Sequence, residues 1–168
     1  NEFLRIFSIK KIYAFEPMIE NYDILKSNIQ LNNFSNIKAE NCAISNSSSK
    51  ITIYQNNDES GHSKFIETNN PIEVNSKSLN EIFNDEKIKK CDLLKLDCEG
   101  SEYEIIDSLE DKNFEKIEKM IIEYHLADSH PELLNKLKNK LKIKMYKISI
   151  EPLFDDIGFL YAIKKNKN

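Results

Sequence analysis

Apolar residues in this chain form short runs and longer three-and-four repeats in turn, which predicts strands alternating with helices. The first run covers residues 11–15 and ends at Glu16-Pro17, since proline cannot donate a hydrogen bond to a neighbouring strand. Tyr22, Leu25 and Ile29 follow at helical spacing. The same patterns predict further strands at 37–40, 51–54, 91–97, 120–124, 142–148 and 158–163, and further helices at 78–83, 101–109 and 133–141.

This order of elements is typical of an α/β domain in which helices cover a mostly parallel sheet, with the last two strands forming an antiparallel pair. We expect residues 1–168 to make one such domain. Two capping-box patterns, Ser101–Glu104 and Ser129–Glu132, predict the starts of two helices. The polar stretch 55–70 is long for a connection inside a compact domain, which indicates a functional lid or a disordered loop.

The composition narrows the class of protein. With 168 residues, 40% of them hydrophobic, the chain is long enough to bury a core without disulfides. Its 24 basic and 28 acidic residues give a net charge of −4, which argues against a nucleic-acid-binding surface. No apolar run is long enough to span a membrane and no secretory leader is visible, so we expect a cytoplasmic protein without membrane contact. Nothing in these patterns indicates an oligomeric state.

The less common residue types exclude further chemistry. Cys42, Cys91 and Cys98 lack C-x-x-C spacing, so neither a zinc ribbon nor a thioredoxin motif is predicted, and we expect reduced thiols. The chain has only 3 glycines, too widely spaced for a G-x-G-x-x-G or Walker loop. A serine hydrolase is not supported either, because the G-x-S-x-G elbow is absent.

Polar residues cluster where the predicted strands end. They are Glu16, then Asn41-Cys42-Ala43, then Asp97-Cys98-Glu99, and finally Glu123-Tyr124-His125. Ligands of open α/β sheets bind beyond the carboxyl ends of the strands, so we expect these residues to line one crevice. At the first strand end, Glu16 is either a ribose-binding carboxylate or a surface residue. A ribose is present in both S-adenosylmethionine (SAM) and the nicotinamide dinucleotides, so this residue does not choose between them.

Three carboxylates, Asp97, Glu99 and Glu102, form D-x-E-x-x-E across a predicted strand-to-helix turn. Such a group favours a cation, which is either a metal or the ammonium and sulfonium of SAM. Alternatively, Glu102 and Glu104 serve the dipole and cap of the new helix. One strand later, Glu123 and His125 face the same way if the segment is extended. They are a base and its partner, two metal ligands, or structural residues.

Several segments together resemble the FkbM-type methyltransferases. Tyr13-Ala14-Phe15-Glu16-Pro17 matches one strand of that family, and the segment 92–102, with Lys95-Leu96-Asp97-Cys98-Glu99-Gly100-Ser101-Glu102, matches its K-I-D-V-E-G-x-E motif. Ile121-Ile122-Glu123-Tyr124-His125 is similar to its next strand and Gly158-Phe159-Leu160-Tyr161-Ala162 to its last. The resemblance implies a Rossmann-like class I methyltransferase that uses SAM and methylates a hydroxyl of a saccharide or another small molecule.

The resemblance also implies roles for individual residues. Cofactor binding falls to Glu16, at the ribose, to Asn41, Cys42 and Ala43, beside the adenine, and to Asp97, at the methionine end. Glu99 matches a further motif position and is also a candidate for cofactor binding. Asp97 and His125 are the candidates for the general base, with Glu123 orienting. No residue is assigned to a metal, although the carboxylates and His125 are ligands suited to Mg²⁺ or Mn²⁺, and a metal-assisted reaction is a minority hypothesis.

The chain departs from the family pattern at its start. The family has a strand and a glycine-rich turn before the Y-A-F-E-P segment, whereas only residues 1–10 precede it here. We therefore expect an N-terminally truncated sheet, from a fragment or a shortened relative, in which the strands beside the absent one lose their shared partner. Two alternatives to the enzyme remain: a noncatalytic binding module of the same fold, and a nicotinamide-dependent oxidoreductase, which does not account for the acidic segment.

Overall fold

The computed structural model describes residues 11–55, 62–63 and 71–165. Within these ranges the strands are β1 (Ile12–Phe15), β2 (Ile37–Glu40), β3 (Ala43–Ser45), β4 (Lys50–Gln55), β5 (His62–Ser63), β6 (Pro71–Ser78), β7 (Leu94–Asp97), β8 (Lys119–Tyr124), β9 (Tyr146–Pro152) and β10 (Gly158–Lys164). The helices are α1 (Ile19–Leu31), α2 (Leu79–Asp85), α3 (Glu102–Ser108), α4 (Asp111–Phe114) and α5 (Pro131–Ile143).

The strands form three sheets. β1 and β2 make a parallel pair, while β7, β8, β10 and β9 lie side by side in that order. β7 and β8 are parallel, and β10 is antiparallel to both of its neighbours, so the predicted α/β class with a closing antiparallel pair is confirmed. The third sheet has the order β3-β6-β4-β5. In the described part of the chain β1 is not paired with β7.

The core lies between the sheet that begins with β7 and the helices α3 and α5. Buried residues of β8 alternate with less buried ones, so that Met120, Ile122 and Tyr124 face the helices and Glu123 faces the other way. Ile106 of α3 and Leu141 of α5 are completely buried against this face. Burial of each such side chain stabilises the fold by about 1.5–3 kcal/mol. This packing holds the carboxyl ends of β7 and β8 in fixed positions relative to each other.

Strand β6 was not predicted, although it joins β3 on one side and β4 on the other. Only Ile72 and Val74 are typical strand-core residues in Pro71–Ser78, which begins with proline and is otherwise polar. Such a segment resembles a connection when only its own sequence is considered. Ser76 shows why polar residues are tolerated: its buried hydroxyl lies 3.0 and 2.9 Å from the carbonyl oxygens of Ser47 and Ser49. Most of the predicted 55–70 loop lies outside the described residues.

Two predicted strand boundaries were wrong. β7 begins at Leu94 rather than at residue 91, because Cys91 forms only an isolated bridge with Ile117. β9 begins at Tyr146 rather than at residue 142, because α5 continues to Ile143. Neither difference moves the carboxyl ends of β7 and β8, where the candidate site lies.

Both predicted capping boxes were also wrong. Ser101 makes no side-chain cap at the start of α3, and Glu104 instead accepts a hydrogen bond of 3.2 Å from Asn46 Nδ2. At α5 the first helical residue is Pro131, and the Ser129 hydroxyl donates 2.7 Å to Asp156. In each case the side chain that the local pattern assigned to the helix end is hydrogen-bonded to a residue distant in sequence. None of the helices described here is long and apolar enough to cross a membrane.

Candidate active site

The carboxyl ends of β7 and β8 bring two acidic side chains together. Asp97 and Glu123 are register partners in this parallel pair and therefore project from the same face of the sheet. Lys95 Nζ lies 3.0 Å from Asp97 Oδ2, which offsets part of the negative charge. Burial and the neighbouring charge of Asp97 both raise the pKa of Glu123. The strand ends thus form an acidic edge, as the sequence predicted.

The turn that follows β7 reverses the chain sharply. Glu99 and Gly100 both have left-handed backbones, with φ of 50° and 104°. At Gly100 the absence of a Cβ removes the steric penalty of this conformation. The Gly100 N–H donates a hydrogen bond of 2.9 Å to Glu102 Oε2, so the first residue of α3 closes the turn from which it emerges.

Glu102 is the centre of a buried hydrogen-bond network. Its side chain is completely buried, and its Oε1 atom accepts a hydrogen bond of 2.8 Å from the backbone N–H of His125 and lies 3.1 Å from His125 Nδ1. A buried carboxylate is costly unless it is paired and hydrogen-bonded, and these contacts, with the one from Gly100, supply that compensation. Glu102 therefore ties the β7–α3 turn to the residue that follows β8.

His125 is held on several sides. Its side chain is 9% exposed, and its Nε2 atom lies 3.6 Å from Glu99 Oε2. The Tyr103 hydroxyl donates a hydrogen bond to the carbonyl oxygen of His125. Burial lowers the pKa of His125, but the hydrogen bond and charge of Glu102, together with the charges of Glu99 and Glu123, outweigh it, so the pKa is raised. Burial and the nearby carboxylates in turn raise the pKa of Glu99.

The ends of β1 and β2 form a second polar edge. Asn41 Nδ2 donates to the carbonyl oxygens of both Glu16 and Pro17, at 2.9 Å each, and so ties the two strand ends together. The Glu16 carboxylate is oriented by Met18, whose backbone N–H lies 2.8 Å from Oε1. The structure thus places Glu16 beside Asn41, as the shared strand-end position predicted.

Cys42 and Ala43, which follow Asn41, are buried, with 3% and 6% of their surfaces exposed. Burial raises the pKa of the Cys42 thiol to about 11, so it stays neutral near pH 7. A ligand at this edge therefore meets Asn41 and the backbone before it meets these two side chains.

A family model for the methyltransferase FkbM domain matches residues 2–144 of this sequence. The chain belongs to this FkbM family. Its β7–α3 turn and its β8 end, where Glu102 meets His125, both lie within the matched region, as does the β1–β2 edge with Glu16 and Asn41. The predicted family resemblance is therefore confirmed.

Two curated fungal proteins are similar to this FkbM domain. Methyltransferase 1 of Beauveria bassiana (strain ARSEF 2860) is 25% identical over an alignment that covers 83% of this chain and 64% of that protein. Methyltransferase sdnD of Sordaria araneosa is 25% identical, with coverage of 67% and 56%. The chain thus spans a little under two thirds of the first relative and a little over half of the second. Among solved structures, M. jannaschii TYW2 in complex with AdoMet matches with a TM-score of 0.44 and 13% identity, covering 96% of this chain and 60% of that one.

Within the FkbM domain, one group of side chains in the described residues has the composition of a metal site. Asp97, Glu99 and His125 each offer a ligand atom, and these atoms lie within 4.8 Å of one another. Carboxylate oxygens and an imidazole nitrogen suit Mg²⁺ or Mn²⁺. Lys95 already compensates part of the charge of Asp97, so the metal-assisted reaction stays a hypothesis.

Two features of this site were not predicted from the sequence. Glu102 was expected to serve a cation or the helix dipole, and the partner expected for His125 was Glu123. The structure instead places the carboxylate of Glu102 on His125, 23 residues away along the chain. The contact of the Tyr103 hydroxyl with the backbone of His125 was not predicted either. The one local signal was the presence of three carboxylates, Asp97, Glu99 and Glu102, within six residues.

Proposed function

We propose that this FkbM domain transfers a methyl group from S-adenosylmethionine to a hydroxyl oxygen of a saccharide or another small molecule. The observation that carries the proposal is the convergence of Asp97, Glu99, Glu123 and His125 at adjacent strand ends in a methyltransferase family member. An excess of carboxylates at this edge attracts the sulfonium and ammonium groups of the cofactor.

For the cofactor we assign the ribose diol to Glu16 and the adenine to the segment of Asn41, Cys42 and Ala43. The hydrogen bond from Met18 holds the Glu16 carboxylate in a defined orientation. Asn41, which links the ends of β1 and β2, keeps the adenine side of the site close to the ribose side. The methionine end of SAM falls to the acidic turn that contains Asp97 and Glu99.

The reaction is an in-line displacement. The acceptor oxygen forms a bond to the methyl carbon while the bond from carbon to sulfur breaks, and the sulfonium becomes the neutral thioether of S-adenosylhomocysteine. Alignment of oxygen, carbon and sulfur supplies most of the acceleration. The hydroxyl proton passes to His125 Nε2, a step worth about 10²–10⁴-fold in rate. Asp97 and Glu123 hold the acceptor by hydrogen bonds.

Calorimetry with SAM and the intact protein tests the cofactor assignment. Because an acidic residue at a strand end binds the ribose diol, Glu16→Ala is expected to weaken SAM binding at least about tenfold while the circular dichroism spectrum stays unchanged. Glu20→Ala is the matched control, since Glu20 is an exposed carboxylate in the first turn of α1. An affinity equal to that of the unsubstituted protein would remove Glu16 from the ribose site.

Turnover separates the enzyme from a binding module. With SAM labelled at the methyl group and a panel of saccharides and other hydroxylated acceptors, label in the acceptor supports the transferase. Binding of SAM without transfer to any acceptor would support the noncatalytic alternative. Exhaustive chelation addresses the metal: the mechanism with His125 as base predicts that transfer survives, whereas loss that Mg²⁺ or Mn²⁺ restores would assign the metal to Asp97, Glu99 and His125.

A further inference from the structure

Glu102 is the one wholly buried acidic side chain among the described residues, and the proposed reaction does not use it. Burial of an ionised carboxylate costs several kcal/mol unless charge and hydrogen bonds compensate it. The contacts that do so are two backbone N–H groups, of Gly100 and His125, and one imidazole nitrogen. Within the described part of the chain, the His125 ring is therefore the only side chain positioned to balance the Glu102 charge directly.

The geometry fixes which ring nitrogen carries the proton. An ionised carboxylate only accepts hydrogen bonds, so His125 Nδ1, at 3.1 Å from Glu102 Oε1, must be the protonated nitrogen. In the neutral ring the lone pair then belongs to Nε2, which lies on the side of Glu99 and the acidic edge. Because the same Oε1 atom also accepts the His125 backbone N–H, ring and backbone are held by one atom.

The other carboxylates near His125 do not provide this constraint. Glu99 lies 3.6 Å from Nε2, on the opposite side of the ring, and is partly exposed. Glu123 contributes through its charge alone. Glu104, two residues after Glu102 on α3, is hydrogen-bonded to Asn46. The ordering of the ring therefore depends on Glu102.

We propose that Glu102 is a positioning residue, which holds His125 in the Nδ1–H tautomer so that Nε2 faces the acceptor. The catalytic consequence rests on the proposed function, whereas the tautomer and the orientation of the ring do not. Glu102 itself touches no reacting atom. It acts on His125, in the way that a buried carboxylate orients a catalytic imidazole in other enzymes.

Nuclear magnetic resonance of the intact protein labelled with ¹⁵N-histidine tests the tautomer without SAM or an acceptor. We expect His125 to show a protonated Nδ1 and an unprotonated Nε2 when the ring is neutral. The signals are assigned by the loss of one of the 3 histidines in His125→Asn. A neutral ring with the proton on Nε2, or with both tautomers populated, would overturn the proposal even if no Glu102 variant folds.

The Glu102→Gln variant tests the same contact by substitution, and Glu104→Gln is its control on the same helix. The groups that face His125 are Glu102 from α3, Glu99 from the turn, Glu123 from β8 and the Tyr103 hydroxyl. Removal of the Glu102 charge lowers the pKa of His125, so its signals should titrate at lower pH than in the unsubstituted protein. Glu104→Gln should leave the titration where it is, and an unshifted titration in a folded Glu102→Gln protein would contradict the proposal.

Kinetics then test the catalytic consequence. We expect Glu102→Gln to lower kcat at least about tenfold with little change in the KM for SAM, because a misoriented base impairs the proton transfer rather than cofactor binding. The acid limb of the pH–rate profile should also move to lower pH. A change in KM alone would mean that Glu102 only supports the fold. If the tautomer is as expected and no methyl transfer occurs, the proposed function fails while the placement of His125 stands.

Discussion

The two polar edges of this molecule differ in how many buried residues pack beneath them. The edge at β7 and β8 lies beside completely buried residues, such as Ile106 and Leu141. The buried contact between Glu102 and His125 joins the two chain segments that follow these strands. The edge at β1 and β2 adjoins fewer buried residues, Met18, Cys42 and Ala43, and none of these three is completely buried. Helix α1 has no buried residue, and all four residues of β1 are only partly buried.

This difference separates the two tasks of the proposed reaction. Groups that move protons and align reacting atoms must be held within a fraction of an ångström, and a packed core provides that constraint. Groups that bind a cofactor tolerate more movement, since binding itself can order them. The half of the site that we propose to be catalytic is therefore held by the packed core, whereas the half that we propose to bind the cofactor depends on a few hydrogen bonds such as those of Asn41.

The largest expected loss of stability comes from a cavity in the core beside the edge at β7 and β8. Ile106→Ala in α3 should lower the free energy of unfolding by about 2–5 kcal/mol, because the deleted methylene and methyl groups leave a void in a packed core. Ile24→Ala in α1 is the counterpart, because Ile24 is 61% exposed. It should change the free energy of unfolding by less than about 0.5 kcal/mol. Urea denaturation measures both. Equal losses would mean that the two regions are packed alike.

A smaller loss is expected from overpacking at the end of β8. A Cβ atom on Gly158 would lie 2.3 Å from the Tyr124 hydroxyl and 2.6 Å from the carbonyl oxygen of Glu151. The backbone oxygen cannot move aside as a flexible side chain would. Gly158→Ala should therefore destabilise the protein by about 1–3 kcal/mol, measured by thermal unfolding, and a neutral result would show that β9 and β10 can separate at this end.

The sequence predicted the catalytic edge better than the network that supports it. Asp97 and Glu123 were found because each ends an apolar strand, and this pattern depends only on neighbours in the chain. The role of Glu102 depends on a left-handed turn at Glu99 and on a partner 23 residues away, which no local pattern contains. For the same reason the capping boxes failed: Glu104 bonds to Asn46, 58 residues away.

At the β1–β2 edge we expect a more modest effect. Asn41→Ala removes two hydrogen bonds to backbone oxygens that join the two strand ends, each worth about 0.5–1.5 kcal/mol. The free energy of unfolding should therefore fall less in Asn41→Ala than in Ile106→Ala. SAM affinity should fall as well, because the proposed adenine and ribose contacts lose their common link. Asn28→Ala is the control, because Asn28 lies on the exposed side of α1. Asn33→Ala would not serve, because Asn33 has a left-handed backbone.

If stability falls in Asn41→Ala while the affinity for SAM is retained, Asn41 serves the fold and the adenine assignment is wrong. If affinity falls without a change in stability, the side chain contacts the cofactor directly. Both outcomes refine the comparison between an edge held by the packed core and one that depends on a few hydrogen bonds.

The smallest expected effect concerns the loop after His125. Asp156 accepts hydrogen bonds from the backbone and hydroxyl of Ser129 and from the backbone N–H of Asp128, and these contacts hold its pKa below the ordinary carboxyl value. A carboxylate with a lowered folded pKa stabilises the fold above its unfolded pKa, and the contribution disappears as the pH falls through the folded value. Asp156→Ala should therefore lower the Tm slightly at pH 7, with a difference from the unsubstituted protein that shrinks in acid. A difference independent of pH would mean that the side chain of Asp156 stabilises the loop through packing rather than through its charge.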